Sequence, residues 1–164
     1  MIVYNQPEIE KEAIQKIIDY TDEPYFLHIY RNRKGFINTA KIWNFFVESS
    51  TCKYVLIMDS DAFVSEKGWL SKLVGILEEN KNIGIVVSVS GSDSNVTTFQ
   101  RINQSSRLPY EVLGHLSGYF FLFKREVFND YRFDDEFNFF GQDSDSCERI
   151  LEDKKYKVYC HPGM

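Results

Sequence analysis

Apolar residues recur along the chain in two alternating rhythms, and that alternation predicts the architecture. Met1 to Tyr4 is a short apolar opening that reads as a strand, cut off by Asn5. Pro7 then opens a helix, where a missing N–H costs nothing, and Glu8 and Glu10 complement the dipole of its first turn. Ile9, Ala13, Ile14, Ile17 and Ile18 fall at helical spacing and predict one buried stripe. Thr21 to Pro24 breaks the pattern, and Phe26 to Tyr30 reads as the next strand, which makes a β-α-β unit.

Gly35 punctuates a second helix, in which Phe36, Ala40, Trp43 and Val47 are spaced by three or four. Tyr54 to Met58 is a continuous apolar run, too short for a helix and suited to a strand covered on both faces. A helix is expected from about Glu66 to Glu79 with Leu70, Leu73, Val74 and Leu77 inward, then a buried strand from Ile83 to Val89. Ser90 to Gly114 is polar and long for a connector, and reads either as a loop over a site or as a surface excursion. Leu116 to Phe123 is expected as a strand, Arg125 to Phe128 as a helical turn, Asp143 to Asp153 as a helix and Tyr156 to Cys160 as a last strand.

Strands alternating with helices predict an α/β fold, with a mainly parallel central sheet flanked by helices on both faces. In such sheets ligands collect outside the carboxyl ends of the strands, so polar residues there are the first candidates for chemistry. The length of 164 residues suits a single domain spanning 1–164.

Composition narrows the function. A 43% hydrophobic, 26% charged chain can bury a real core. The net charge of -5 argues against a nucleic-acid binder, which needs a basic track along the phosphates. Cys52, Cys147 and Cys160 share no metal-type spacing, and Cys52 and Cys147 sit among apolar neighbours as buried thiols would. With no signal-like start and no apolar run near the ~20 residues that cross a bilayer, a soluble, cytoplasmic protein is expected.

Asp59-Ser60-Asp61 follows the apolar run directly. In an extended segment residues i and i+2 face the same way, so the two carboxylates can converge on one hard cation such as magnesium or manganese. A turn that caps the following helix is the alternative. Asp143, at the start of a helix, is on its own an N-cap.

Taken in order, these stretches resemble the family 2 glycosyltransferases with the GT-A fold. The resemblance rests on Tyr54 to Asp61 as the strand with its Asp-X-Asp motif, Gly118 to Phe123, and Arg125 to Phe128 as the Arg-X-X-Phe turn. It continues in Phe133-Asp134-Asp135-Glu136-Phe137, in Gly141-Gln142-Asp143-Ser144-Asp145, and in Arg149 with Tyr156-Lys157-Val158. The resemblance implies a short catalytic core that moves a sugar from a nucleoside diphosphate donor to a hydroxyl acceptor, whether glycan, protein or lipid-linked. It implies Asp59 and Asp61 at the metal (Mn2+ or Mg2+) and diphosphate, and Asp143 as the general base of an inverting, hexosyltransferase-type reaction. Tyr4 and Asn5 would face the nucleobase, and His161 matches, at some distance, a histidine that completes the metal site in some relatives. Asp145 would support the acceptor site or only the helix dipole.

The chain departs from that pattern after its second strand, where Arg31-Asn32-Arg33 replaces the acidic residue that recognises the base. Arg31 is then a candidate for the donor phosphate, and the base identity stays open. A non-catalytic nucleotide- or sugar-binding module and a sugar-1-phosphate nucleotidyltransferase are the competing readings; the second lacks its Gly-rich basic loop after the first strand.

Overall fold

The computed structural model describes residues 1–3, 6–33, 35, 37–89, 110–112, 120–138 and 141–162. Its strands are β1 (Ile2–Val3), β2 (Tyr30–Arg31), β3 (Tyr54–Met58), β4 (Ile83–Val89), β5 (Tyr110–Val112), β6 (Phe120–Lys124) and β7 (Lys157–Pro162). Among the described residues the helices are α1 (Pro7–Tyr20), α2 (Thr39–Glu48), α3 (Trp69–Glu79), α4 (Arg125–Asp130) and α5 (Gln142–Asp153).

One sheet runs in the order β3-β6-β4-β7-β5, and β1 pairs with β2 in parallel beside it. A parallel bridge between Ile2 and Asp59 joins the two. β6 is antiparallel to both β3 and β4, β7 is parallel to β4, and β5 is antiparallel to β7. β1, β2, β3, β4 and β7 therefore point the same way, while β6 and β5 run against them and make the five-stranded sheet mixed. The carboxyl ends of β1, β2, β3, β4 and β7 define a single edge.

The apolar alternation of the strands sorts the helices. Ile85, Val87, Phe121 and Phe123 pack on one face with Trp43 and Val47 of α2, Phe128 of α4 and Ile150 of α5. Val86, Phe120 and Leu122 pack on the other with Ile17 of α1 and Trp69, Leu73 and Leu77 of α3. Both faces of β6 are thus covered, and all five of its residues are buried. Its last residue, Lys124, escapes isolation by donating from Nζ to the Asn80 and Lys81 carbonyls at the end of α3.

Arg125 locks the junction between α2 and β3. Its guanidinium donates to the Val47 and Cys52 carbonyls at 2.8 and 2.7 Å, and its backbone N–H to the Lys53 carbonyl at 2.9 Å. The two guanidinium bonds are charge-assisted and hold the end of α2 against the chain leading into β3. Gly84 permits the closest approach in the core, since a Cβ there would lie 2.8 Å from both Tyr156 Cβ and Val127 Cγ2.

Four expectations change. Residues 24–29 form no strand and Phe26 is 81% exposed, because β1 offers only Ile2 and Val3 as partners for this part of the chain. Ile18 is 55% exposed, lying one residue around α1 from the buried Ala13–Ile17 line. The third helix starts at Trp69 behind a left-handed Gly68 instead of at Glu66. Tyr110–Val112, inside the expected loop, pairs with β7 through its backbone, which a polar neighbourhood does not prevent. The rest of that loop lies outside the described residues. Cys147 and Cys160 are buried, and Cys52 only half so. Among the described residues no helix is long and apolar enough to cross a membrane.

Candidate active site

β3 delivers Asp59 to the carboxyl edge of the sheet. Met58 pairs with Phe120 on β6 on one side, and Asp59 itself bridges Ile2 on the other. The chain then turns, with the Ala62 N–H donating to the Asp59 carbonyl at 3.2 Å. Of the two readings of Asp59-Ser60-Asp61, the turn is therefore the one found. Ser60 is buried, Asp59 half-buried and Asp61 exposed.

α5 runs back antiparallel to β7, so its first turn, with Asp143 and Asp145, sits at the same edge. The turn before it needs Gly141, whose φ of +93° is left-handed and whose missing Cβ would meet the Phe137 ring at 3.0 Å. No side-chain cap closes this helix. Its start is held from α2 instead: buried Gln142 donates from Nε2 to Thr39 Oγ1 at 2.7 Å.

The same pair of elements is stitched farther back. Asn38 donates to the Asp135 carbonyl at 2.7 Å, and the Thr39 N–H to the Asn138 carbonyl at 3.0 Å. Phe133 anchors the segment in the core against Trp43, with ring centroids 5.1 Å apart. Asp134 closes its own turn by accepting from the Glu136 N–H at 2.8 Å. The Phe-Asp-Asp-Glu-Phe stretch thus earns its residue types by fixing the approach to α5.

Electrostatics tie the two halves together. Burial, then the charges of Asp61 and Asp143, push the Asp59 carboxyl up to about 6, against the pull of the Met1 amino group. Asp61 and Asp143, from two distant stretches, therefore both act on Asp59 at this edge. Among the described residues no three His, Cys, Asp or Glu side chains close into an all-protein metal cage.

The remaining sequence candidates fall as follows. Asp145 is engaged by Arg149 at 2.7 and 2.9 Å, and Arg149 also donates to the Arg132 carbonyl, so this acid steadies α5. Arg31 lies at the end of β2 with its guanidinium on Glu10 of α1, at 2.5 and 2.6 Å. His161, on β7, pairs with Ser88 of β4. Three strand steps separate β7 from β3, about 14 Å at ordinary strand spacing, so His161 is not brought together with Asp59 and Asp61. Tyr4 and Asn5 lie outside the described residues. Sequence reading passed over Asn38, Thr39, Asn44 and Gln142, whose partners are remote in the chain; polar residues at a helix start were the only available signal.

The fold has clear counterparts among solved structures. The mannosyltransferase PcManGT from Pyrobaculum calidifontis, in complex with GDP-Man and Mn2+, superposes with a TM-score of 0.67 at 17% identity, over 96% of this chain and 52% of that one. S. aureus TarS 1-349 in complex with UDP-GlcNAc gives 0.67 at 14% identity, over 97% of this chain and 54% of that one. GalNAc-T7 with UDP, GalNAc and Mn2+ gives 0.57 at 14% identity, over 82% of this chain and 30% of that one. The chain thus spans about half the length of the first two. At these identities the likeness shows the GT-A fold. No curated protein sequence matches the chain. Residues 2–132 match the family described as Glycosyl transferase family 2, and the chain belongs to that family.

Proposed function

We propose that this chain is the core of a metal-dependent, inverting glycosyltransferase that moves a sugar from a nucleoside diphosphate to a hydroxyl acceptor. The observation that carries the reading is the convergence of Asp59, Asp61 and Asp143 at the carboxyl edge of the sheet. Asp59 is half-buried and is raised further by two neighbouring acids, a cost of the kind that functional sites keep.

The residues fit a divalent cation. Asp59 and Asp61 supply hard carboxylate oxygens, and a cation would offset the charges of Asp61 and Asp143 that, after burial, raise the Asp59 carboxyl. One or two carboxylates suffice for Mg2+ or Mn2+ when substrate phosphates complete the shell, so an all-protein cage is not needed. The cation, when bound, would neutralise charge growing on the departing diphosphate. PcManGT and GalNAc-T7 were both solved with Mn2+, which supports this assignment.

Asp59 and Asp61 hold the diphosphate end of the donor. Asp143 takes the proton from the acceptor hydroxyl as that oxygen attacks the anomeric carbon. Single displacement from the face opposite the diphosphate inverts the anomeric centre. Arg31, already paired with Glu10, remains a candidate for the donor. Tyr4 and Asn5 remain the candidates for the base.

Incubation with a panel of UDP- and GDP-sugars and Mn2+ tests the reading. Slow nucleotide release that stops on chelation is expected. A chain that neither turns over nor binds any donor in a metal-dependent way contradicts it.

A further inference from the structure

We infer that Gln142 is a positioning residue, acting with Thr39 to hold Asp143 in its working place. The inference rests on the reading of Asp143 as general base and extends it to how that base is kept in register.

The first turn of α5, which carries Asp143, is tied to α2 through its first residue. The residue that precedes α5 is Gly141, which brings no capping side chain and the widest backbone freedom of any residue. Asp143 is the second residue of the helix, so a small rotation of the first turn swings its carboxylate across the site. Gln142 is its immediate neighbour and is buried, with its amide on the Thr39 hydroxyl at 2.7 Å. Thr39 is itself buried at the first turn of α2 and fixed by its N–H on the Asn138 carbonyl at 3.0 Å. The chain of contacts runs from a well-packed helix through one side-chain hydrogen bond to the residue beside the base.

Arg149, on Asp145 and on the Arg132 carbonyl, ties the first turn of α5 to the segment at Arg132. Gln142 ties the first residue of the same turn to α2. Catalysis by a positioned base is sensitive to displacements of about 1 Å, which can cost on the order of 100-fold. A hydrogen bond that sets this position should therefore show in turnover more than in donor binding.

The test uses the full chain, the best donor from the UDP- and GDP-sugar panel, Mn2+ and nucleotide release as the readout. Gln142→Met and Thr39→Val keep size and remove the bond. Each is expected to lower kcat by roughly 10- to 100-fold with donor KM within about twofold. Thr39→Ser keeps the hydroxyl and should stay close to wild type. In an Asp143→Asn background neither change should lower turnover further, because each acts only through that carboxylate. A purely structural role would instead add its loss to that background. If Gln142→Met fails to fold, the smaller Thr39→Val change carries the test alone. Wild-type kcat in both variants, with Asp143→Asn inactive, overturns the positioning role and leaves the base standing. An Asp143→Asn variant as active as wild type, or a wild-type chain that turns over no donor, overturns the base and this inference with it.

Discussion

Asn44, in the middle of α2, donates its side-chain amide to the Phe133 carbonyl at 2.9 Å and to Asp135 Oδ1 at 2.7 Å. One buried amide thereby joins a helix to a segment 91 residues away along the chain. Asn44→Ala leaves the Phe133 carbonyl without this donor and is expected to cost about 2–3 kcal/mol. Chemical denaturation measures it, and a cycle with Asp135→Ala should give coupling above about 0.5 kcal/mol. Simple additivity would show that the bond contributes nothing.

Gly84 is a steric prediction. A methyl group there meets Tyr156 and Val127 at 2.8 Å, too close for either side chain to yield without moving the strand. Gly84→Ala should lower stability by roughly 1–3 kcal/mol in urea unfolding. An unchanged midpoint would mean that β4 and Tyr156 pack less tightly.

Asp59 makes stability depend on pH. Its carboxyl, raised to about 6 from 3.8, holds a proton in the folded state that the unfolded chain has already lost. Between those values the folded state binds more protons, so its stability falls as pH rises, by about 3 kcal/mol in all. Asp59→Asn removes that loss. Thermal melts without metal should show the variant more stable than wild type at pH 7.5 and equal to it near pH 3. A variant less stable at both values would contradict the assignment.

The separation of His161 from β3 predicts a contrast. Asp61→Ala should weaken Mn2+-dependent donor binding at least tenfold, whereas His161→Ala should leave the donor Kd within about twofold. Isothermal titration with and without Mn2+ checks both. Comparable losses would place His161 at the ion after all.

These sites differ in how far the sequence revealed them. β4 was readable from Ile83 to Val89 because a continuously apolar run has one stable place, inside a covered sheet. Asp59 was readable as the end of β3 for the same reason. The turn at Asp59 to Ala62 was readable only as one of two alternatives, since Asp and Ser suit a turn and a strand end alike. Phe26 was misread because a strand needs a neighbour, and the neighbour is decided elsewhere in the chain. Arg31 drew notice as a stray cation, but its partner Glu10 is set by how α1 packs back on β1 and β2. Asn44 and Gln142 were silent, as no local pattern announces a partner 91 or 103 residues away.

The central claim is that Asp143 moves the proton while Asp59 and Asp61 hold the donor. Asp143→Asn, compared with wild type for nucleotide release and donor affinity in the presence of Mn2+, tests it most directly. The account predicts that release falls by at least 100-fold while the donor Kd stays within about twofold. Retained turnover, or loss of donor binding together with turnover, would contradict it.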